Sequence, residues 1–313
     1  MPSVVSLFSG CGGSDAGVVD AGFEVLMAND ILPYAKDVYL ANHPATDFRV
    51  GDVAGIESFP SSDLLIGCYP CQGFSQGGAR KADSKINYLY REFVRALRQI
   101  KPKAFIVENV SGMRRADFAH LLESQLIQFR LSGYRVKWKI LNAADYGVPQ
   151  ERQRLIFVGI RSDIDAAYTF PEPTHGPLGK REYRTIGDAI GDLPDWPEGE
   201  FWEDKFHWYY LSRNRYRGWD EVSKTIVSHP RHMPLHPISP RLLRVHTDKW
   251  VWESEERARR YSFREAARLQ GFKKRFKFPE TENAGLRMKY TVTGNAVPPA
   301  LFTAVAKAIP DIW

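Results

Sequence analysis

In the first 160 residues short apolar runs alternate with stretches of helical periodicity, and this alternation narrows the fold more than anything else in the chain. VVSLF (4–8), EVLMAN (24–29), DLLIG (63–67) and AFIVEN (104–109) read as strands. Between them Asp15–Ala21 and Pro33–Ala41 read as helices, and Leu89, Phe93, Leu97 and Ile100 recur at helical spacing. Strands alternating with helices predict an α/β domain, a mostly parallel sheet covered on both faces. RVKWKIL (135–141) and RLIFVGI (154–160) follow without a helix between them, which predicts a hairpin at the sheet edge.

From Pro171 the texture changes. Pro, Gly, Trp and charges crowd together, and no long periodic helix returns until FREAARLQGF (263–272). The last segment, NAVPPALFTAVAKAI, reads as a proline-started helix with Leu301, Val305 and Ala308 on one face. The expected division is therefore a discontinuous first domain, 1–173 plus 286–313, and a smaller irregular domain at 174–285.

Charge follows the same division. Residues 174–289 carry 23 Lys and Arg against 17 Asp and Glu, which accounts for the whole net charge of +6. Six of the eight tryptophans lie there too. A basic, aromatic-rich region beside a neutral one suits a polyanion, although an ordinary solvated face has the same composition. The apolar runs are too short to cross a bilayer, and no secretory signal is visible at the N-terminus. Three cysteines do not make a disulfide framework, so a reducing cytoplasm is expected.

Five stretches carry chemistry. SLFSGCGGSDAG (6–17) places glycines between a strand and a helix, where a nucleotide-type cofactor can approach the backbone, or where the chain merely turns tightly. Asp30 ends the next strand, well placed for the hydroxyls of a ribose, and Asp52 follows on the same edge, within reach of an adenine amino group. Each acid alone also fits a cap or a turn. In GCYPCQGFSQGG (67–78), Pro70 fixes its own φ and pushes Tyr69 toward an extended conformation, so Cys71 is held at the mouth of the sheet. A small buried cysteine, or a Cys68-x-x-Cys71 redox or metal pair, is the alternative. Glu108, after AFIV, is an improbable core residue without a partner. Arg152 and Arg154 at i, i+2 ahead of LIFVGI are expected to point the same way, toward the same anion as Glu108 and Cys71. His229, His232 and His236 are too loosely spaced to predict a metal site.

The order FSGCGG, PCQGFS, ENV, QERQR, REAARLQGF and GNAVPP, running from Phe8 to Pro299, resembles the DNA cytosine-5 methyltransferases. Two departures stand out. Cys68-Tyr69 precedes Pro70 where the family usually has small residues, and Lys273-Lys274 follows LQGF where it usually has Pro-Asp.

The resemblance implies an S-adenosylmethionine-dependent methyltransferase fold, Rossmann-like, with a target-recognition domain in the basic segment. It implies Cys71 as nucleophile on C6 of a cytosine flipped out of double-stranded DNA, with Glu108 at N3 and Arg154, with Arg152, at O2 or a phosphate. Phe8, Gly10, Gly12, Asp30, Asp52 and Asn295 would surround S-adenosylmethionine, and Gln72 and Ser75 would contact DNA. No metal, membrane or obligate protein partner is expected of such an enzyme. It is expected to be a monomer working beside a separately acting restriction endonuclease. A tRNA methyltransferase of the same fold and an inactive DNA-binding homologue are the alternatives.

SRNRYRGW (212–219) sets Arg213, Arg215 and Arg217 at alternating positions, so an extended backbone would turn all three to one side. Arginine reads guanine through O6 and N7, although phosphate contacts are commoner. The segment resembles the recognition region of bacterial members that methylate within GGCC, which implies a short GC-rich palindrome.

Overall fold

Five strands run parallel: β1 (Ser3–Leu7), β2 (Glu24–Asp30), β3 (Asp47–Val50), β4 (Leu64–Gly67) and β5 (Ala104–Val110). They belong to a seven-stranded sheet ordered β3-β2-β1-β4-β5-β7-β6. β7 (Gln153–Arg161) is antiparallel to β5 and pairs with β6 (Tyr134–Asn142), the expected hairpin at the edge. The computed structural model describes residues 1–70, 88–114 and 119–313.

Central strands are buried along nearly their whole length, which is why they read as unbroken apolar runs rather than as alternation. Edge strand β6 instead exposes Arg135, Lys137 and Lys139, charges that discourage pairing with another chain. Strand order reverses between β1 and β4, since β2 and β3 lie on one side and β5 on the other. In open α/β sheets the crevice at the carboxyl ends of such a pair is where ligands bind.

Helices α1 (Gly13–Asp20), α2 (Pro33–Asn42), α3 (Tyr90–Ile100) and α4 (Ala119–Leu131) cover the sheet together with the C-terminal α8 (Pro299–Lys307). α3 buries Phe93, Val94 and Leu97, and Phe93, Phe105, Phe129, Tyr134 and Phe157 form one aromatic cluster, with ring centroids 4.8 to 6.0 Å apart. α8 buries Leu301, Phe302, Val305 and Ala306, while Ala308 falls just past its end. It lies so close to α1 that Thr303 Oγ1 donates to the Gly17 carbonyl at 3.0 Å.

The chain divides into two units. The first holds 1–142, 153–172 and 299–313; the second holds 143–152 and 173–298. The second contains α5 (Ile186–Ile190), hairpin β8 (Leu242–His246) and β9 (Lys249–Trp252), α6 (Phe263–Leu269) and α7 (Leu286–Asn295). Its interior is unusually polar. Arg259 and Glu265 are both buried and meet through two 2.7 Å hydrogen bonds, and Glu265 also closes a capping box with Ser262 at the start of α6.

These limits differ from the expected ones at two segments. Residues 143–152 belong to the second unit because Gln150 is buried there, donating to Leu269 O and Gln270 Oε1 and accepting from Ile226 N. Residues 286–298 belong there because Tyr290 OH donates to Tyr261 O at 2.7 Å and Gly294 lies against the backbone of Val227 and Ser228. Among the described residues, no helix is long and apolar enough to cross a membrane, and no acid, His or Cys cluster could hold a metal ion.

Candidate active site

Three turns at the carboxyl ends of β1, β2 and β3 are tied into one rim. Leaving β1, Phe8, Gly10 and Gly12 all take positive φ, at 57°, 54° and 88°. For Phe8 this is a strained, non-glycine conformation, which a turn adopts only when its surroundings fix it. Gly10 N donates to Asp30 Oδ2 at 2.9 Å and Leu32 N to Asp30 Oδ1 at 3.0 Å. Burial raises the Asp30 carboxyl above its ordinary value, and these backbone donors pull it back down. Asn29 donates to Arg49 O and Gly51 O, which joins the end of β2 to the turn carrying Asp52. Asp52 is exposed and caps its own turn through Ala54 N at 2.9 Å.

A Cβ on Gly10 would meet nothing within 4 Å, so the backbone there faces open space. At Gly12 it would meet Tyr39 and His43 at 3.1 Å. An open backbone turn with an acid at the next strand end fits a ribose-bearing cofactor. Asp15, which stands where a dinucleotide-binding loop has its third glycine, anchors this rim. Its buried carboxylate accepts from Ser6 Oγ, Ser14 Oγ and Tyr39 OH at 3.0, 2.9 and 2.7 Å.

Across the switch point, β4 ends at Gly67, in register with Val107 of β5. Tyr69 is buried and donates to Gln125 Oε1 at 2.5 Å, with Phe8 and Phe93 packed on its ring. The approach to Pro70 is thereby fixed. Cys71, Gln72 and Ser75 lie outside the described residues. Burial, and then the nearby Glu108, push the Cys68 thiol well above its ordinary range, so Cys68 stays a neutral thiol.

Glu108 finds the partner its burial requires. It accepts a 2.6 Å ion pair from Arg154 Nε, both side chains being about nine-tenths shielded. Burial lowers the Arg154 pKa, and Glu108 opposes that shift. Arg152 does not join them. It precedes β7, belongs to the second unit, and spends its guanidinium on the carbonyls of Ile226, Gly294 and Ala296 at 2.8, 3.0 and 3.1 Å. The i, i+2 argument fails because strand geometry begins only at Gln153.

Nor do the three arginines of the second unit turn to one side. Arg213 is exposed on extended backbone. Arg215 folds inward over the Tyr210 ring at 4.8 Å and donates to Tyr210 O at 3.2 Å. Arg217 lies near Glu151 and Glu221, at 3.7 and 3.5 Å. A 3-10 turn at Tyr210–Ser212 redirects the chain just ahead of them, which alternation alone does not register. Asn295 ends α7, exposed, in the second unit.

A family model described as C-5 cytosine-specific DNA methylase matches residues 3–311. The chain is 38% identical to the Type II methyltransferase M.BsuRI of Bacillus subtilis, over 99% of this chain and 79% of that one. It is also 38% identical to the Type II methyltransferase M.BspRI of Lysinibacillus sphaericus, over 98% and 81%. In three dimensions it is similar to the Dnmt2 methyltransferase of S. pombe, with a TM-score of 0.71 and 18% identity over 98% of each chain, a likeness of fold.

Proposed function

The chain belongs to the C-5 cytosine-specific DNA methylases, and from that membership we propose a covalent route through Cys71 on a cytosine turned out of the duplex. It is a DNA cytosine-5 methyltransferase of the restriction-modification kind. The observation that carries the route is the buried Glu108–Arg154 pair at the carboxyl end of β5, beside the strand that leads to Cys71.

C5 of cytosine is a poor nucleophile because the ring is aromatic. A Cys71 thiolate forms a bond to C6, the displaced π electrons shift through C5 and C4 to N3, and N3 takes a proton from the Glu108 carboxyl group. C5 is then enamine-like. S-adenosylmethionine supplies, when bound, the electrophilic methyl group. Loss of the C5 proton to a base then expels the Cys71 sulfur from C6, N3 returns its proton to Glu108, and aromaticity is restored. Arg154 pairs with the carboxylate that Glu108 becomes once its proton is on N3, and faces the pyrimidine O2. Gly10, Gly12 and Phe8 would form the backbone cradle for the donor, with Asp30 at its ribose and Asp52 at its adenine. The target base has to leave the stack, which costs a few kcal/mol.

The test is duplex DNA carrying 5-fluorocytosine at the target. Fluorine does not depart as a proton does, so the DNA should stay covalently attached to the protein. Cys71→Ala should abolish both trapping and methylation while DNA binding survives. Full methylation by that variant would overturn the route.

A further inference from the structure

After α6 the chain carries Lys273-Lys274-Arg275-Phe276-Lys277, and the Lys273-Lys274 pair replaces the Pro-Asp usual in the family. Lys273, Lys274, Arg275 and Lys277 are all exposed. Between them the aromatic residues are packed together: Phe272 and Phe276 have ring centroids 4.1 Å apart, and Phe276 and Phe278 5.2 Å. The loop is thus held by its rings while its cations face solvent.

Beside it lies a cavity of about 240 Å³ whose wall includes Arg264, Arg268, Lys273 and Lys274 with a single acid, Asp192. Asp192 accepts from Arg268 and from Lys274, each at 2.6 Å, and these two cations pull its carboxyl down to about 2. With Asp192 ionised the wall still carries more cations than acids. Glu200 pairs with Arg264, so the four wall cations meet two acids and keep an excess of two positive charges, while Glu280 pairs with Lys289. Among the described residues Arg275 has no ion-pair partner.

A row of exposed, lysine-rich cations makes a poor base reader but a good backbone contact, because phosphate binding needs charge rather than a fixed donor pattern. We propose that the Lys273–Lys277 loop and the adjoining cavity form a phosphodiester-binding surface that holds duplex DNA outside the recognition sequence. The inference rests on DNA being the substrate, and is independent of Cys71, Glu108 and the base-reading residues. It gives affinity that grows with duplex length and carries no sequence information.

The full chain with Lys273→Ala, Lys274→Ala, Arg275→Ala and Lys277→Ala together is compared with the unmodified protein on two duplexes. One spans a single helical turn around the target, the other several turns. On the long duplex the slope of log affinity against log salt should become shallower by up to about 3.6, since each phosphate contact contributes about 0.9. Methylation of the short duplex should keep its rate and site preference, which also shows that the variant folds. Arg275→Glu alone, at that exposed residue, should shift the same slope in the same direction. Unaltered salt dependence on the long duplex overturns the proposal, and so does an equal loss on both duplexes. Loss of methylation on every duplex by Cys71→Ala, with the salt slope intact, would leave the catalytic reading and this one separately decided.

Discussion

Glu108 and Arg154 meet diagonally across the antiparallel β5–β7 pair. Glu108 lies opposite Ile156 and Val110 opposite Arg154, so the acid and the base share one face of the sheet. A pair this well shielded makes the two substitutions unequal. Glu108→Gln keeps the shape and should leave donor binding nearly intact while slowing methyl transfer about a hundredfold or more. Arg154→Ala leaves a buried carboxylate unpaired and should cost about 3–5 kcal/mol in urea unfolding. In a Glu108→Gln background the same change should cost less. A Glu108→Gln variant that loses donor affinity alone would move this residue out of the catalytic step.

Gly17 marks the closest approach of α1 and α8. A Cβ there would lie 2.7 Å from both the Phe302 Cβ and the Pro299 carbonyl oxygen. The carbonyl belongs to the backbone and has little room to move. Gly17→Ala should therefore destabilise the first unit by roughly 1–3 kcal/mol, read as a lower unfolding midpoint. Unchanged stability would mean that α8 shifts freely.

The first unit was largely legible because its strands are buried on both faces and its helices present one apolar stripe. Short edge strand β3 was legible only at its end, through Asp52, since Asp47–Val50 has one buried residue, Phe48. α4 escaped. Its buried positions are Leu121, Gln125 and Phe129, and the polar member interrupts the stripe because it serves the Tyr69 hydroxyl. Glu108 was legible as a buried acid in need of a partner. Arg152 and Arg215 were not, because a sequence shows a guanidinium without the carbonyls it satisfies. In the second unit, which is held by polar contacts such as Arg259–Glu265, periodicity carries little information.

His236 gives the second unit a dependence on pH. Its ring is buried, with Nδ1 accepting from Ile238 N and Nε2 3.4 Å from Glu265, whose charge is already taken by Arg259. Burial, with Arg259 adding, depresses its pKa to about 3. An unfolded histidine titrates near 6.5, so between these values the unfolded chain binds more protons. The resulting stability is complete above about pH 6.5 and declines as pH falls toward 3. Unfolding measured across that window should have a smaller slope in His236→Gln than in the parent. An equal slope would show that the ring is protonated in the folded protein.

Arg213 and Arg215 are two residues apart and should answer mutation in opposite ways. Arg213 is exposed and has no ion pair or side-chain hydrogen bond among the described residues, so it is available to a guanine edge in the major groove. Arg213→Ala should leave stability within about 0.5 kcal/mol. It should cost about 1–3 kcal/mol in discrimination at one base pair of the target. Arg215 is partly buried, with its guanidinium over Tyr210 and its donors on the carbonyls of Tyr210 and His232. Arg215→Ala should thus lower stability by roughly 1–3 kcal/mol, because those buried acceptors lose their donor. Unfolding curves and methylation of single-base variants of the site separate the two effects. If Arg213→Ala weakens binding to every sequence alike, with a shallower salt dependence, it grips phosphate and does not read a base.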